Sequence, residues 1–221
     1  MAETTLYCND CLEVLRGLPE RSVDLVLTDI PYDGVNMASN GLRLLDRGNA
    51  DTLTFDLERF VLELNRICSG SMYIFCGWGQ ISFLCENLKA LGWSTRIIVW
   101  EKTNPSPMNG EHIWLSGVEF AVFARQKGAV FNAHCRNAVV RYPSGSSKVH
   151  PTEKPVDLFA DLIMVSSNEG GVVLDPCMGS GTAGVASAKY NRNFIGIELN
   201  PEYYEIAEKR INAAKSQLSL F

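Results

Sequence analysis

The stretch Val172-Val-Leu-Asp-Pro-Cys-Met-Gly-Ser-Gly-Thr182, followed by a run of small residues and then by Phe194-Ile-Gly-Ile-Glu198, decides how this 221-residue chain folds. An apolar run ends on an acid, Asp175, and a turn with Gly179 and Gly181 follows. Glycine lets the backbone approach a ligand closely, and the start of the next helix offers unpaired amides. The second apolar run ends on another acid, Glu198, the place where such units commonly bind ribose hydroxyls. Strand, glycine turn, helix, strand and acid together describe a nucleotide-type cofactor site, where a lone G-x-G would be only a turn. The turn has no lysine, so it is not a P-loop. Asp175, at the turn itself, suits a cationic ligand end such as a methionine ammonium group.

The same alternation extends outward in both directions. Apolar runs at Leu6–Asn9, Val23–Thr28, Ser71–Cys76, Thr95–Trp100, Glu119–Ala124, Val172–Leu174 and Phe194–Ile197 read as strands. Between them, Leu12–Gly17, Leu57–Cys68, Ile81–Leu91, Pro155–Ser166, Gly181–Tyr190 and Pro201–Ala214 read as helices. This predicts one α/β domain over 1–221, with a mainly parallel seven-stranded sheet and helices on both faces. A composition of 46% hydrophobic and 20% charged residues suits a packed core and excludes a disordered chain. Gly34–Thr54 and Gln126–Val149 fit neither pattern, and loops of such length in a compact domain usually carry function.

A net charge of −5 excludes a protein that holds nucleic acid by bulk charge. Its distribution is uneven. From Arg125 to Lys154 stand Arg125, Lys127, Arg136, Arg141, Lys148 and Lys154 against Glu153 alone, a net of +5. The seven cysteines are odd in number and irregular in spacing, as suits reduced thiols in the cytoplasm. Cys8-Asn-Asp-Cys11 has zinc-knuckle spacing without a second pair, so no metal site is expected. Without a basic, apolar leader or an apolar run near ~18 residues, neither a signal peptide nor a membrane span is expected.

Val23-Asp-Leu-Val-Leu-Thr-Asp-Ile-Pro-Tyr32 is a strand that ends on Asp29, Ile30, Pro31 and Tyr32. The proline fixes the turn and frees the preceding carbonyl from sheet bonding. The tyrosine either stacks on a planar base or packs as a core residue beside a plain turn.

These residues carry a family resemblance. Asp29-Ile-Pro-Tyr32 resembles the D-P-P-Y signature of amino-group DNA methyltransferases, and Asp175-Pro-Cys-Met-Gly-Ser-Gly-Thr182 their D-P-F-x-G-S-G-T loop. His150-Pro-Thr-Glu-Lys-Pro155 and Trp100-Glu-Lys-Thr-Asn-Pro105 resemble two further blocks. Catalytic motif first and cofactor loop last is the circularly permuted order of the β class. Two positions depart from the pattern: Ile30 stands for the first proline and Cys177 for the phenylalanine.

The resemblance implies an S-adenosylmethionine-dependent enzyme of Rossmann-like fold that methylates N6 of an adenine flipped out of double-stranded DNA. Asp29 and the Ile30 carbonyl would accept the two amine hydrogens, with Pro31 and Tyr32 completing the pocket. Asp10 and Cys11 would meet the cofactor adenine, and Glu198 with Leu199 and Asn200 the ribose. Asp175, Pro176, Cys177, Gly179, Ser180, Gly181 and Thr182 would hold the methionine end, with Lys154 flanking it. N4 of cytosine is the nearer rival, and a cofactor-binding DNA module of weak activity the non-enzyme one. C5-cytosine chemistry is excluded, because Pro176-Cys177 lies inside the cofactor turn. Arg125, Lys127, Arg136, Arg141 and Lys148 are expected on DNA phosphates, with Arg43 and Arg47 in a loop closing over the base. Residues 125–149 would form a target-recognition segment too short to stand alone, from which a homodimer is expected.

Overall fold

The computed structural model describes residues 2–32, 55–107, 111–112, 114–145 and 153–218. The first half comprises β1 (Thr4–Cys8), α1 (Cys11–Gly17), β2 (Val23–Asp29), α2 (Leu57–Ile67), β3 (Cys68–Cys76) and α3 (Ile81–Ala90). β4 (Ser94–Lys102), β5 (Val118–Arg125), β6 (Val139–Tyr142) and α4 (Val156–Ser166) follow. The chain then forms β7 (Val172–Asp175), α5 (Thr182–Lys189), β8 (Asn193–Glu198) and α6 (Pro201–Leu218). All seven expected strands form. An eighth, β6, lies inside the segment that read as a loop, and the sheet order is β1-β8-β7-β2-β3-β5-β4-β6. β6 escapes a pattern search because it is a four-residue edge strand in which only Val140 is buried. Among the described strands, only β5 runs against the others.

Helices cover both faces. Phe60, Val61, Leu64 and Ile67 recur at helical spacing along α2 and pack with Leu15 of α1 and Leu84 and Leu88 of α3. Asp56 starts α2 by accepting from the amides of Glu58 and Arg59. On the other face lie α4 with Leu158, Phe159 and Ile163, α5 with Ala183 and Ala186, and α6 with Ala207 and Ile211. Gly181 opens α5 in the left-handed region, φ 82°. A Cβ there would stand 2.9 Å from the Ala207 Cβ, so the close packing of α6 itself requires this glycine.

One crevice follows from this topology. From β7 the chain crosses through α5 to β8 on one side, and from β2 through α2 to β3 on the other. β7 and β2 are neighbours, and Asp175 and Asp29 close their carboxyl ends. Ligands of open α/β sheets bind at such a switch point.

Candidate active site

The turn after β2 begins as a normal parallel ladder. Ile30 N donates to the Phe75 carbonyl at 3.1 Å. Continued pairing would bring the Gly77 amide onto the Ile30 carbonyl. Instead Gly77 N donates to Gln80 Oε1 at 2.8 Å, and Gln80 Nε2 donates to the Pro31 carbonyl at 3.1 Å. Gln80 is itself buried. The ladder therefore stops, and no hydrogen bond among the described residues takes the Ile30 carbonyl. The Ile30 side chain is buried in the core. An apolar anchor and a glutamine clamp thus hold the turn where the related motif has its first proline.

Four charges gather beside this turn. Lys154, buried, pairs with Asp29 Oδ2 and with Glu119 Oε2 at 3.1 Å. Lys102 pairs with Glu119 Oε1 at 2.7 Å, and the Tyr32 hydroxyl donates to Glu119 Oε2 at 3.2 Å. Lys154 Nζ also stands 5.5 Å from the Tyr32 ring centre and 5.7 Å from that of Phe75. Asp29 Oδ1 is buried and has no hydrogen-bond partner. Burial pushes the Asp29 carboxyl up to about 6, with Lys154 working against it. Burial would raise Glu119 too, but Lys154 and Lys102 outweigh it and hold that carboxyl at about 2. Lys154, expected to flank the cofactor, therefore meets Asp29 directly, the residue that the resemblance gives as an acceptor of an amine hydrogen. Glu119 and Gln80 lie in no motif, and Lys102, although inside the Trp100–Pro105 block, carried no assigned role there. Their roles arise only when β3, β4 and β5 meet.

The cofactor side lies across the crevice. Asp175 is buried, its Oδ1 accepts from Cys177 N at 3.1 Å, and burial raises its carboxyl to about 7. A cationic ligand end would relieve that cost. Glu198 accepts from Gly179 N at 2.9 Å and from Asn200 N at 2.8 Å, and burial raises its carboxyl. Each oxygen keeps a further lone pair, which suits the donors of a ribose diol. These acceptors fit the proposed cofactor. Asp10 caps α1 through Glu13 N, and Asn200 caps α6 through Glu202 N. Pro176, Ser180 and Thr182 are buried behind the turn, while Leu199 is exposed. Arg210 of α6 donates to the Ser180 carbonyl and hydroxyl at 2.6 and 2.7 Å and pairs with Glu153, tying the turn to the segment that carries Lys154. The Cys11 thiol and burial hold the Cys177 thiol well above its ordinary value, so it stays protonated rather than nucleophilic.

The basic residues expected on DNA do not stand together. Arg125 ends β5, six residues beyond Glu119, or about 20 Å along the strand. It donates to the Ala129 carbonyl, and Lys127 follows it at that far edge. Arg136 is paired with Asp161 of α4. Asn132 closes the end of α4 with bonds to the carbonyls of Met164, Val165 and Ser167, so this part of the 125–149 segment is structural packing. Among those described, Arg141 alone stands at the carboxyl edge, 3.0 Å from Glu101. Arg43, Arg47 and Lys148 lie outside the described residues. Among the described residues, no group of His, Cys, Asp or Glu could hold a metal ion, and no helix is long and apolar enough to cross a membrane.

Comparison with known proteins agrees with this geometry. A DNA methylase family profile matches residues 109–209. The Type II methyltransferase M.HpaI of Haemophilus parainfluenzae is 29% identical over 94% of this chain and 74% of its own. The crystal structure of the M1.HpyAVI–SAM complex superposes with a TM-score of 0.74 at 31% identity, covering 95% of this chain and 99% of that one. The cytosine-N4-specific PvuII DNA methyltransferase shares the fold, with a TM-score of 0.72 at 18% identity over 99% of this chain and 93% of that one.

Proposed function

The chain belongs to the DNA methylase family, and from that premise we propose that it methylates N6 of an adenine flipped out of double-stranded DNA. One observation carries the reading: a buried Asp29 Oδ1 without a hydrogen-bond partner stands beside an Ile30 carbonyl that no hydrogen bond among the described residues takes. An exocyclic amine brings two hydrogens and needs two such acceptors. Accepting both draws the amine lone pair out of conjugation and toward the methyl donor. S-adenosylmethionine, when bound, supplies the methyl as a sulfonium. Asp175, Glu198 and Asp10 are the residues that would hold it. Lys154 fixes Asp29 Oδ2 and leaves Oδ1 for the substrate. After transfer the amine nitrogen is cationic and sheds a proton, which Asp29 takes, its carboxyl standing near 6. Tyr32, held by Glu119, offers its ring to the base.

N4 of cytosine is the second reading, favoured by the fold shared with the PvuII enzyme. The protein incubated with tritiated cofactor and DNA, followed by nucleoside separation, tests both. Label in N6-methyldeoxyadenosine supports the proposal, label in N4-methyldeoxycytidine replaces it, and no label in DNA overturns it.

The reading extends to a homodimer. Ile97, Val118 and Val139 are each about two-fifths exposed on one face of β4, β5 and β6, an apolar strip that a second copy would cover. Sedimentation equilibrium at micromolar protein tests this, and a monomer with full activity overturns it. Seven free thiols are what the reducing cytoplasm would maintain.

A further inference from the structure

The four tryptophans fall into two pairs. Trp93 and Trp100 are buried, and each indole N–H is satisfied, by Asn65 Oδ1 and by the Tyr142 carbonyl, both at 2.9 Å. Trp78 and Trp114 are 84% and 97% exposed. A single exposed apolar side chain is ordinary on any surface. The position of Trp78 is not ordinary. It stands just after β3, at the edge where β2 ends on Asp29 and β7 on Asp175.

Its backbone is held firmly. On one side is Gly77, where a Cβ would lie 3.3 Å from the Tyr32 Cβ. On the other is Gln80, buried and bonded both to Gly77 N and to the Pro31 carbonyl. The clamp that frees the Ile30 carbonyl therefore also fixes the turn that exposes the Trp78 indole. A held turn that buries its glutamine and exposes its tryptophan sets an aromatic platform at the mouth of the site. Trp114, on the connection between β4 and β5 and away from the Gly77–Gln80 turn in the chain, is a natural control.

Base extrusion leaves neighbouring bases unstacked, and an apolar or aromatic side chain can offset that loss. We propose that the Trp78 indole stacks on the bases left exposed when the target leaves the duplex, making Trp78 a DNA-positioning residue. This rests on the DNA-methylation reading above.

The test uses the full chain, tritiated cofactor and unmethylated genomic DNA, either native or heat-denatured and rapidly cooled. Trp78→Ala should lower labelling of native DNA about tenfold, the scale of one base–aromatic stack. Labelling of denatured DNA, where little extrusion is needed, should fall less than about threefold. Trp78→Phe should restore most of the native labelling, and Trp114→Ala should leave the native-to-denatured ratio at the wild-type value. Equal losses on both forms, or no loss on native DNA, overturn the proposal, as does an equal loss that accompanies a change in sedimentation. If the wild-type protein labels neither form, the DNA-methylation reading itself has failed, a result distinct from all of these.

Discussion

At the carboxyl edge of the sheet Asp29 keeps a buried oxygen unbonded, the Ile30 carbonyl has lost its ladder partner, and Asp175 is held near neutrality in pKa. At the opposite edge Asn132 closes the end of α4 with three carbonyl bonds, Arg136 is matched by Asp161, and Arg125 is bonded to the backbone. Both edges carry charged and amide side chains. Only the carboxyl edge leaves a buried carboxylate oxygen without a donor among the described residues, whereas the unbonded buried atoms at the opposite edge are the hydroxyls of Ser71 and Ser187. Buried unbonded acceptors are costly, and a fold retains them where a ligand completes them. The comparison therefore locates chemistry at one edge and stability at the other.

The comparison can be broken by substitution. Asp29→Ala should leave cofactor binding by calorimetry near wild type and lower turnover by about 10²–10³-fold, the scale of one preorganised electrostatic partner. Wild-type turnover would break the contrast at once. Gln80→Leu should let the Gly77 amide return to the Ile30 carbonyl. Turnover then falls by roughly 10- to 100-fold, as expected when a reacting geometry shifts by about 1 Å. An unchanged kcat would show that the clamp is only structural. Arg141→Gln, at the carboxyl edge, should reduce the slope of log binding constant against log salt by about 1. Arg136→Gln, at the far edge, should leave that slope alone and lower the melting temperature by a few degrees, about 1 kcal/mol, since Asp161 loses a partner. A changed slope for Arg136→Gln would return that residue to the interface.

The fold was largely legible because seven strands are continuous apolar runs and six helices keep an apolar face. β6 was not, because Val139-Val-Arg-Tyr142 buries one side chain and takes its identity from β4. The candidate site was legible where an acid ends a contiguous strand motif, as at Asp29, Asp175 and Glu198. It was illegible where the partner is remote. Lys154 lies 125 residues from Asp29, and nothing local to either reveals the pair. Gln80 and Glu119 are ordinary letters until the sheet assembles. The basic stretch from Arg125 to Lys154 misled for the converse reason. Its charges are adjacent in sequence, but β6 carries Arg141 to one edge of the sheet and leaves Arg125 at the other.

The central claim is that an ionised Asp29, held by Lys154, accepts the amine hydrogen. Its acceptor form is the carboxylate, so activity should be full above the Asp29 pKa and fall as pH drops through about 6. Lys154 lowers that pKa, so its removal must raise it. The most direct test is the pH profile of kcat/KM for the wild type and for Lys154→Met. The acid limb should stand near 6 in the wild type and move to about 7 or above in the variant. A limb that keeps its position when Lys154 is removed, or a profile flat through this range in the wild type, would contradict the account.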